Sequence, residues 1–201
     1  MTTTMKKILL GEQGLLVIFA IALVLVSIFV PNFLSSRNVI GLLQAVVTVG
    51  LVACSMMLCL ATRDFDLSVG STVAFTGMMA VMITNATGSI PLGILGAIAA
   101  GAAVGMVNGV IIARIGINAL ITTLATMQLV RGFGLIISDG RAVGVKEPAF
   151  YNIALSNVFG IPTPIIVLVL AFILFGIVLN RTVFGRNTLA IGGNPDAARL
   201  A

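Results

Sequence analysis

Residues Val39–Ala61 read VIGLLQAVVTVGLVACSMMLCLA, a run of apolar and small side chains without a single charge. An α-helix rises about 1.5 Å per residue, so about 20 apolar residues cross the hydrocarbon core of a bilayer. A helix is favoured in lipid because it satisfies every backbone polar group within its own segment. This stretch therefore predicts a membrane-spanning helix.

Similar apolar runs lie on both sides of this stretch. Hydrophobic residues make up 59 % of the chain and charged residues 8 %, whereas soluble domains carry about a quarter charged residues. The short alternating segments of a barrel are missing from the sequence. We predict an all-α, polytopic integral membrane protein with about six transmembrane helices. The five further spans are Leu15–Val30, Leu67–Ile83, Ile90–Ala113, Ala119–Ile137 and Ile161–Leu179.

The distribution of Lys and Arg predicts a cytoplasmic N-terminus. Alternating spans then place Lys6, Lys7, Arg63, Arg114, Arg181, Arg186 and Arg199 inside, and Arg37, Arg141 and Lys146 outside. This bias agrees with the positive-inside rule, and the opposite orientation would reverse it. The net charge of +5 therefore reflects topology, and no nucleic-acid partner is expected. The break Thr62–Asp66 either reaches the cytosol or lines a protein cavity, since irregular backbone is tolerated there.

Several kinds of chemistry are excluded by composition. The chain has no His and no Trp, and it lacks the G-x-x-x-x-G-K-[ST] phosphate loop. Cys54 and Cys59 fall on one predicted helix, where helical geometry prevents a disulfide between them. We therefore expect no catalysis, no metal site and no cofactor within this chain.

Two spans carry polar stripes. With Gln44 as reference and 100° per residue, Thr48, Ser55, Cys59 and Thr62 fall within a narrow sector of one helix. On the span that begins near Asn118, the threonines Thr122, Thr123 and Thr126 follow a similar pattern. Lipid penalises such stripes, so both should face the bundle interior. Two interpretations stay open: hydrogen bonding between helices, or the wall of a path for a polar substrate.

Two other features of the spans call for interpretation. Arg131 lies about 20 Å along its helix from Asn118, off the threonine face. It is either a functional residue, as intramembrane Arg commonly is, or it reaches outward to lipid headgroups. Gly101, Gly105 and Gly109 repeat the G-x-x-x-G spacing, with Gly96 nearby. This spacing predicts close backbone approach of another helix.

Charged and flexible residues concentrate in two breaks. Asp64 and Asp66 lie beside Arg63 before the third span, where Asp66 can satisfy free N–H groups at the helix start. After residue 180, Gly192 and Gly193 are expected to free the backbone. Asn194 has the character of an N-cap, with Pro195 at the first helical position. A short helix from Pro195 to Ala201 should follow, presenting Ala197, Ala198 and Ala201 to a partner.

These breaks also carry a family resemblance. The segment Asp64–Ser71, DFDLSVGS, resembles the Asp-Leu-Ser-Val-Gly signature of permeases from monosaccharide ABC importers, the ribose, xylose, arabinose and galactoside group. The tail resembles that family's cytoplasmic loop, which docks on the ATPase. Segments 117–128 and 137–143 are most similar to the family's L-arabinose members. The resemblance implies an ATPase-coupling loop over residues 181–201, with coupling residues Phe184, Gly185, Arg186, Gly192, Gly193, Asn194, Ala197, Ala198 and Arg199.

The resemblance implies a permease that works with other subunits. These are a cytosolic ATP-binding subunit that binds the ATP, a periplasmic sugar-binding protein and a second permease copy, around a polar path in the bacterial inner membrane. The expected path residues are Gln44, Thr48, Ser55, Asp64, Asp66, Ser68, Asn118, Thr122, Thr123, Thr126 and Arg131. Family members continue beyond this loop, so the chain is expected to be one incomplete transmembrane domain, 1–201.

Two other classes of function stay open. One is an ion-coupled secondary transporter or a channel, which works without an ATPase. Such proteins usually place acids at mid-membrane, whereas Asp64, Asp66, Asp139 and Glu147 lie at or beyond span ends. The other is a membrane scaffold that transports nothing, which glycine packing alone does not exclude.

Overall fold

The computed structural model describes residues 14–200. Lys6, Lys7 and Ala201, which entered the predictions above, lie outside this range. The chain divides into two compact units, Met1–Val46 and Val47–Ala201. The helices of the described part are α1 (Gly14–Phe29), α2 (Ser36–Ala61), α3 (Val69–Thr87), α4 (Ile90–Val110), α5 (Ala119–Ile137), α6 (Pro148–Leu155), α7 (Thr163–Arg181), α8 (Val183–Gly193) and α9 (Pro195–Leu200).

The first unit contains α1 and the beginning of α2, joined by a tight turn. Pro31 follows the end of α1, and Asn32 has a φ of 59°, which turns the chain sharply. The side chain of Ser35 accepts the backbone N–H of Asn38 at 3.4 Å, and the Asn38 amide donates to the carbonyl of Phe33 at 2.7 Å. These bonds satisfy free groups at the start of α2.

The second unit is built around α3, which packs against both α4 and α5. On α2, the face that includes Gly50 meets the side chain of Leu168 on α7. Large apolar side chains remain exposed on the helix exteriors, among them Leu95 and Met106 at 61 % and 70 %. An apolar exterior of this kind fits a lipid surrounding.

Within residues 14–200, five helices are long and apolar enough to cross a membrane: Ser36–Ala61, Val69–Thr87, Ile90–Ile115, Ala119–Ile137 and Thr163–Arg181. The predicted all-α, polytopic membrane fold is therefore confirmed. The apolar helix α1 has 16 residues, or about 24 Å against a hydrocarbon core of about 30 Å. The sixth span and the cytoplasmic N-terminus stay predictions.

Several boundaries differ from those expected. The helix α3 continues past Ile83, the predicted end of its span, and ends where Gly88, with a φ of 68°, donates its N–H to the carbonyl of Thr84. After α4, residues Ile111–Ile115 form a π-helical turn. Residues 138–162, between α5 and α7, are called the outer segment after their predicted side of the membrane. This segment contains α6 and a small hairpin of β1 (Asn157–Val158) and β2 (Ile161–Pro162). The hairpin turns through positive φ at Phe159 and Gly160, which suits a tight turn.

Close approach of α3 and α4 is tightest at Gly96, which was named in the prediction, and at Gly93, which was not. A methyl group at Gly93 would overlap the hydroxyl of Thr84 and the carbonyl oxygen of Ala80, and one at Gly96 would overlap the end of the Ile83 side chain. Gly105 and Gly109, by contrast, have open space beside them. The predicted motif is therefore wrong for its inner half, because the two helices touch most closely near their outer ends.

Replacing Gly93 with Ala is expected to destabilise the protein by about 1–3 kcal/mol, the usual cost of overpacking. The added methyl group would push against backbone of α3, which cannot rotate away. Thermal unfolding in detergent, followed by fluorescence size-exclusion, measures the loss. The matched control is Gly105→Ala, which should unfold at the parent temperature. Equal stability of the two variants would contradict the packing described here.

The predicted orientation has a direct test in intact cells. In a background with Cys54 and Cys59 replaced by Ala, a cysteine at exposed Ala142 should react with a membrane-impermeant thiol reagent. A cysteine at Arg114, which is exposed at the opposite end of the bundle, should react only after the membrane is permeabilised. Labelling of Arg114→Cys from outside would reverse the orientation.

Candidate functional site

A chain of hydrogen bonds crosses the second unit at the end where α3 begins. The Thr126 hydroxyl donates to Oδ1 of Asn108 at 2.6 Å, and Nδ2 of Asn108 donates to the Ser68 hydroxyl at 3.0 Å. The Ser68 hydroxyl in turn donates to Oδ1 of Asp66 at 2.5 Å. We call these four residues the polar chain. It joins α5, α4 and the segment before α3.

The polar chain is buried and has a fixed direction. Ser68 is 1 % exposed, Asn108 5 % and Thr126 8 %. Each hydroxyl uses its single proton on the next acceptor, so the donors all point toward the carboxylate of Asp66. Oδ1 of Asp66 also accepts the backbone N–H of Ser68 at 2.8 Å, which confirms that this acid satisfies a free N–H at the start of α3. Satisfied buried networks of this kind favour one arrangement of the helices.

The threonine stripe of α5 faces the interior, as predicted. Thr122, Thr123 and Thr126 are all buried. The Thr123 hydroxyl donates to the carbonyl of Ala119 at 2.8 Å, and that of Thr122 to the carbonyl of Asn118 at 3.1 Å. The shortest bonds of both hydroxyls thus return to their own helix, and Thr123 also lies 3.4 Å from the carbonyl of Phe65, in the segment before α3.

A groove of about 400 Å³ runs along α3 and α4 beside the polar chain. Its polar lining comes from hydroxyl, amide and carboxylate side chains, and Gly101 and Gly105 widen it from the α4 side. A concave space with a few polar groups among apolar ones is typical of a small-molecule path. The polar residues of the lining are Ser55, Asp66, Ser68, Thr72, Thr76 and Asn108.

The polar stripe of α2 was predicted to face the bundle interior. This prediction is wrong for the stripe as a whole. Gln44 and Thr48 are exposed, while Ser55 is half-buried at the groove. The buried face of α2 consists of Val47, Gly50 and Cys54, because Gly50 lets α2 settle on Leu168.

Three further path candidates lie away from the polar chain. Asp64 is exposed, and Asn118 is an N-cap whose side chain accepts the N–H of Leu120 at 2.9 Å. Arg131 is exposed and lines a second groove, of about 430 Å³, between α3 and α5. That groove also includes the hydroxyls of Ser71 and Ser138. The structure therefore brings together Ser55, Asp66, Ser68 and Thr126, but not Gln44, Thr48, Asp64, Asn118 or Arg131.

Sequence reasoning missed Asn108, which is the centre of the polar chain. It lies in the glycine-rich part of α4, where the G-x-x-x-G spacing was interpreted and the amide was not. An amide within an apolar span is itself a signal, since burying it unpaired is costly. Asn85 was missed as well: its side chain donates to the carbonyl of Gly144 at 2.8 Å and accepts the N–H of Lys146 at 2.9 Å. It thereby holds the outer segment on the end of α3.

The predicted coupling loop forms two helices, α8 and α9. Gly192 and Gly193 lie within α8, so the expectation that they free the backbone is wrong. The expected capping is confirmed: Oδ1 of Asn194 accepts the N–H groups of Asp196 and Ala197, each at 3.1 Å. The helix α9 then runs from Pro195 to Leu200.

The coupling residues divide into packed and exposed positions. Gly185 is buried, and a methyl group there would overlap the carbonyls of Val178 and Leu179. Ala198 is half-buried, which the prediction of a uniformly exposed face did not anticipate. The predicted coupling residues that are exposed are Phe184, Arg186, Gly193, Asn194, Ala197 and Arg199.

Comparison with known protein families identifies the family of this chain. The family described as the permease component of branched-chain amino acid transport systems matches residues 38–201. The chain belongs to this permease family. It is a multi-pass membrane protein on this ground as well as on its apolar helices.

Curated relatives of this permease include two proteins named for L-arabinose. The L-arabinose transport system permease protein AraH of Escherichia coli K12 is 50 % identical over 190 residues, which cover 94 % of this chain and 58 % of that protein. The AraH permease of Azospirillum brasilense is 46 % identical, with coverage of 96 % and 57 %. The ribose import permease protein RbsC of E. coli K12 is 35 % identical, with coverage of 97 % and 62 %.

The permease thus spans 57–62 % of the length of these relatives. No solved structure matches it. Family membership agrees with the resemblance drawn from the segment Asp64–Ser71 and from the tail, which both fall inside the matched residues.

Proposed function

We propose that this chain is the membrane-spanning permease subunit of an ABC importer for a monosaccharide, namely L-arabinose, in the bacterial inner membrane. The observation that carries the proposal is the difference in sequence identity between relatives named for L-arabinose and a relative named for ribose. Two proteins named as L-arabinose permeases are 50 % and 46 % identical, against 35 % for a ribose permease. The chain itself is a transport subunit and not an enzyme.

The groove beside the polar chain suits a neutral sugar. Hydroxyl and amide side chains line it among apolar residues, and such groups both donate to and accept from sugar hydroxyls. The half-buried carboxylate of Asp66 already accepts two hydrogen bonds from Ser68. This arrangement offers a polar surface whose carboxylate is already hydrogen-bonded, so an uncharged solute passes at little desolvation cost.

The proposed importer includes further subunits. A cytosolic ATP-binding subunit supplies ATP hydrolysis and docks on α8 and α9. A periplasmic sugar-binding protein delivers the sugar to the outer face. A second permease copy completes the path. The exposed small residues at the tip of α8 and on α9 support the first of these contacts, since they let a partner surface approach closely.

The placement of acids favours this function over an ion-coupled transporter. Asp66 precedes α3, Asp139 follows α5, and the carboxylate of Glu147 accepts the N–H of Ala149 at the start of α6. All three lie at helix ends, whereas ion coupling usually requires acids at mid-membrane.

Reconstitution tests the proposal. The permease, expressed from its complete coding sequence with its ATPase and binding protein, should import L-arabinose into proteoliposomes only when ATP is enclosed with the ATPase. A non-hydrolysable ATP analogue and D-ribose as the sugar are the controls. Import driven by an ion gradient without ATP would contradict the ABC function. A higher rate for D-ribose than for L-arabinose would contradict the substrate.

A further inference from the structure

The inner end of α2 touches α8 without any intervening side chain. A methyl group at Gly192 would overlap the carbonyl oxygen of Ala61 and crowd its carbonyl carbon. The two backbones are therefore in direct contact, and α8 cannot advance toward α2 without displacing it. Packed backbone transmits a displacement because protein interiors are close-packed and resist compression.

A hydrogen bond resists the opposite movement. Nη2 of Arg63 donates to the carbonyl of Gly193 at 3.1 Å, across 130 positions of sequence. Arg63 has a φ of 67°, a conformation that non-glycine residues rarely adopt. The turn that holds it is tied to α2 by backbone bonds of 3.0 Å, from Arg63 to Leu60 and from Asp64 to Cys59.

The same turn leads directly into the polar chain. Asp66 follows Arg63 by three residues and holds Ser68, which is bonded to Asn108 and through it to Thr126. Residues 61–68, which we call the relay segment, thus have one end fixed to α8 and the other fixed to α4 and α5.

We propose that the relay segment transmits movement of the ATPase-docking helices to the polar chain, and that Arg63 is a positioning residue for transport. The inference rests on the proposed function, because it requires an ATPase on α8 and α9. Closure of the ATPase pushes α8 through Gly192 onto Ala61, and its opening pulls the turn back through Arg63. Asp66 and Ser68 then shift against Asn108, at the groove between α3 and α4.

The test separates docking from transmission. Arg63→Ala is compared with the parent for three quantities: ATPase captured per permease, ATP hydrolysed, and L-arabinose imported per ATP. A further readout is a cysteine at Thr76, which lines the groove, in a background with Cys54 and Cys59 replaced by Ala. Its rate of reaction with a small thiol reagent is measured with and without ATP. Arg114→Ala, an exposed arginine at the same end of the bundle, is the matched control.

We expect Arg63→Ala to capture the ATPase as the parent does while importing about three- to tenfold less sugar per ATP, as loss of one hydrogen bond of about 0.5–1.5 kcal/mol allows. The ATP-dependent change at Thr76→Cys should shrink in the same proportion. Arg63→Lys should keep part of the sugar import per ATP and part of the ATP-dependent change at Thr76→Cys, since the lysine ammonium group can also donate to the carbonyl of Gly193. Gly192→Ala should show the same uncoupling through the other contact, in material that reaches the membrane at the parent level.

The outcomes are distinguishable. If the parent captures no ATPase, the proposed function itself fails. If the parent is coupled and both Arg63→Ala and Gly192→Ala keep its sugar import per ATP, the relay is wrong and the proposed function stands. If Arg63→Ala loses the ATPase altogether, Arg63 serves docking, and the relay is again wrong.

Discussion

Replacing Ala197 with Glu is expected to abolish capture of the ATPase by the permease and, with it, ATP-driven import. Ala197 is exposed on α9, three residues after Asn194, whose side chain accepts the N–H of Ala197. In a docked complex, the larger side chain would prevent close approach and leave a carboxylate without a partner. Truncating or unpairing a buried charge at an interface costs about 2–5 kcal/mol, so captured ATPase should fall by more than about tenfold.

The measurement is ATPase recovered per permease after affinity capture from detergent, with sugar uptake in proteoliposomes from the same preparations. Ala197→Ser, which is small and neutral, is the control and should behave as the parent. Insertion into the membrane should be the same for all three, because exposed Ala197 takes no part in packing. Undiminished capture by Ala197→Glu would show that α9 is not the docking helix.

Replacing Asn108 with Leu should both destabilise the permease and stop transport. Leu has a similar size but can neither accept from Thr126 nor donate to Ser68. A buried group that loses its partner costs about 1–3 kcal/mol, and a chain of about this size loses about 2–4 °C in midpoint for each kcal/mol. Two such losses predict a fall of several degrees in thermal unfolding. Uptake should fall further than stability explains, since the helices lose their fixed arrangement at the groove.

Asn180→Leu is the matched control for this substitution. Asn180 is also an amide on a membrane-spanning helix, but it is exposed and its side chain donates only to the carbonyl of Gly176 in the same helix, at 2.9 Å. Its replacement should leave both the unfolding midpoint and uptake close to the parent values. A parent-like Asn108→Leu variant would remove the polar chain from the account of transport.

Hydrophobic blocks and helix signals were enough to predict most helices from sequence. The limits of α5 were predicted without error, since Asn118 is a strong N-cap and the apolar period is clear. The face of Thr122 and Thr126 followed from helical geometry alone. These features are local, so the sequence contains all the information that determines them.

The features that were predicted wrongly or missed depend on tertiary contacts. Helix α8 was expected as a flexible loop because Gly192 and Gly193 are weak helix formers. The close contact with Ala61 requires a glycine there, and packing outweighs propensity. The buried face of α2 was likewise misplaced, because a stripe of polar residues does not reveal which neighbour a helix finds. Asn108 has meaning only once Ser68 and Thr126 are beside it.

The unequal lengths of α3 and α4 determine how deep the polar chain lies in the membrane. The two helices are joined at their outer ends by Gly88 and Ser89, and α3 has 19 residues where α4 with its π turn has 26. At about 1.5 Å per residue, α3 just crosses a hydrocarbon core of about 30 Å, and the longer helix overhangs it by about 10 Å on the inner side. Asn108 lies about 27 Å from the outer end of α4. The polar chain therefore lies at the headgroup boundary farthest from Gly88 and Ser89, separated from that connection by nearly the whole thickness of the bilayer.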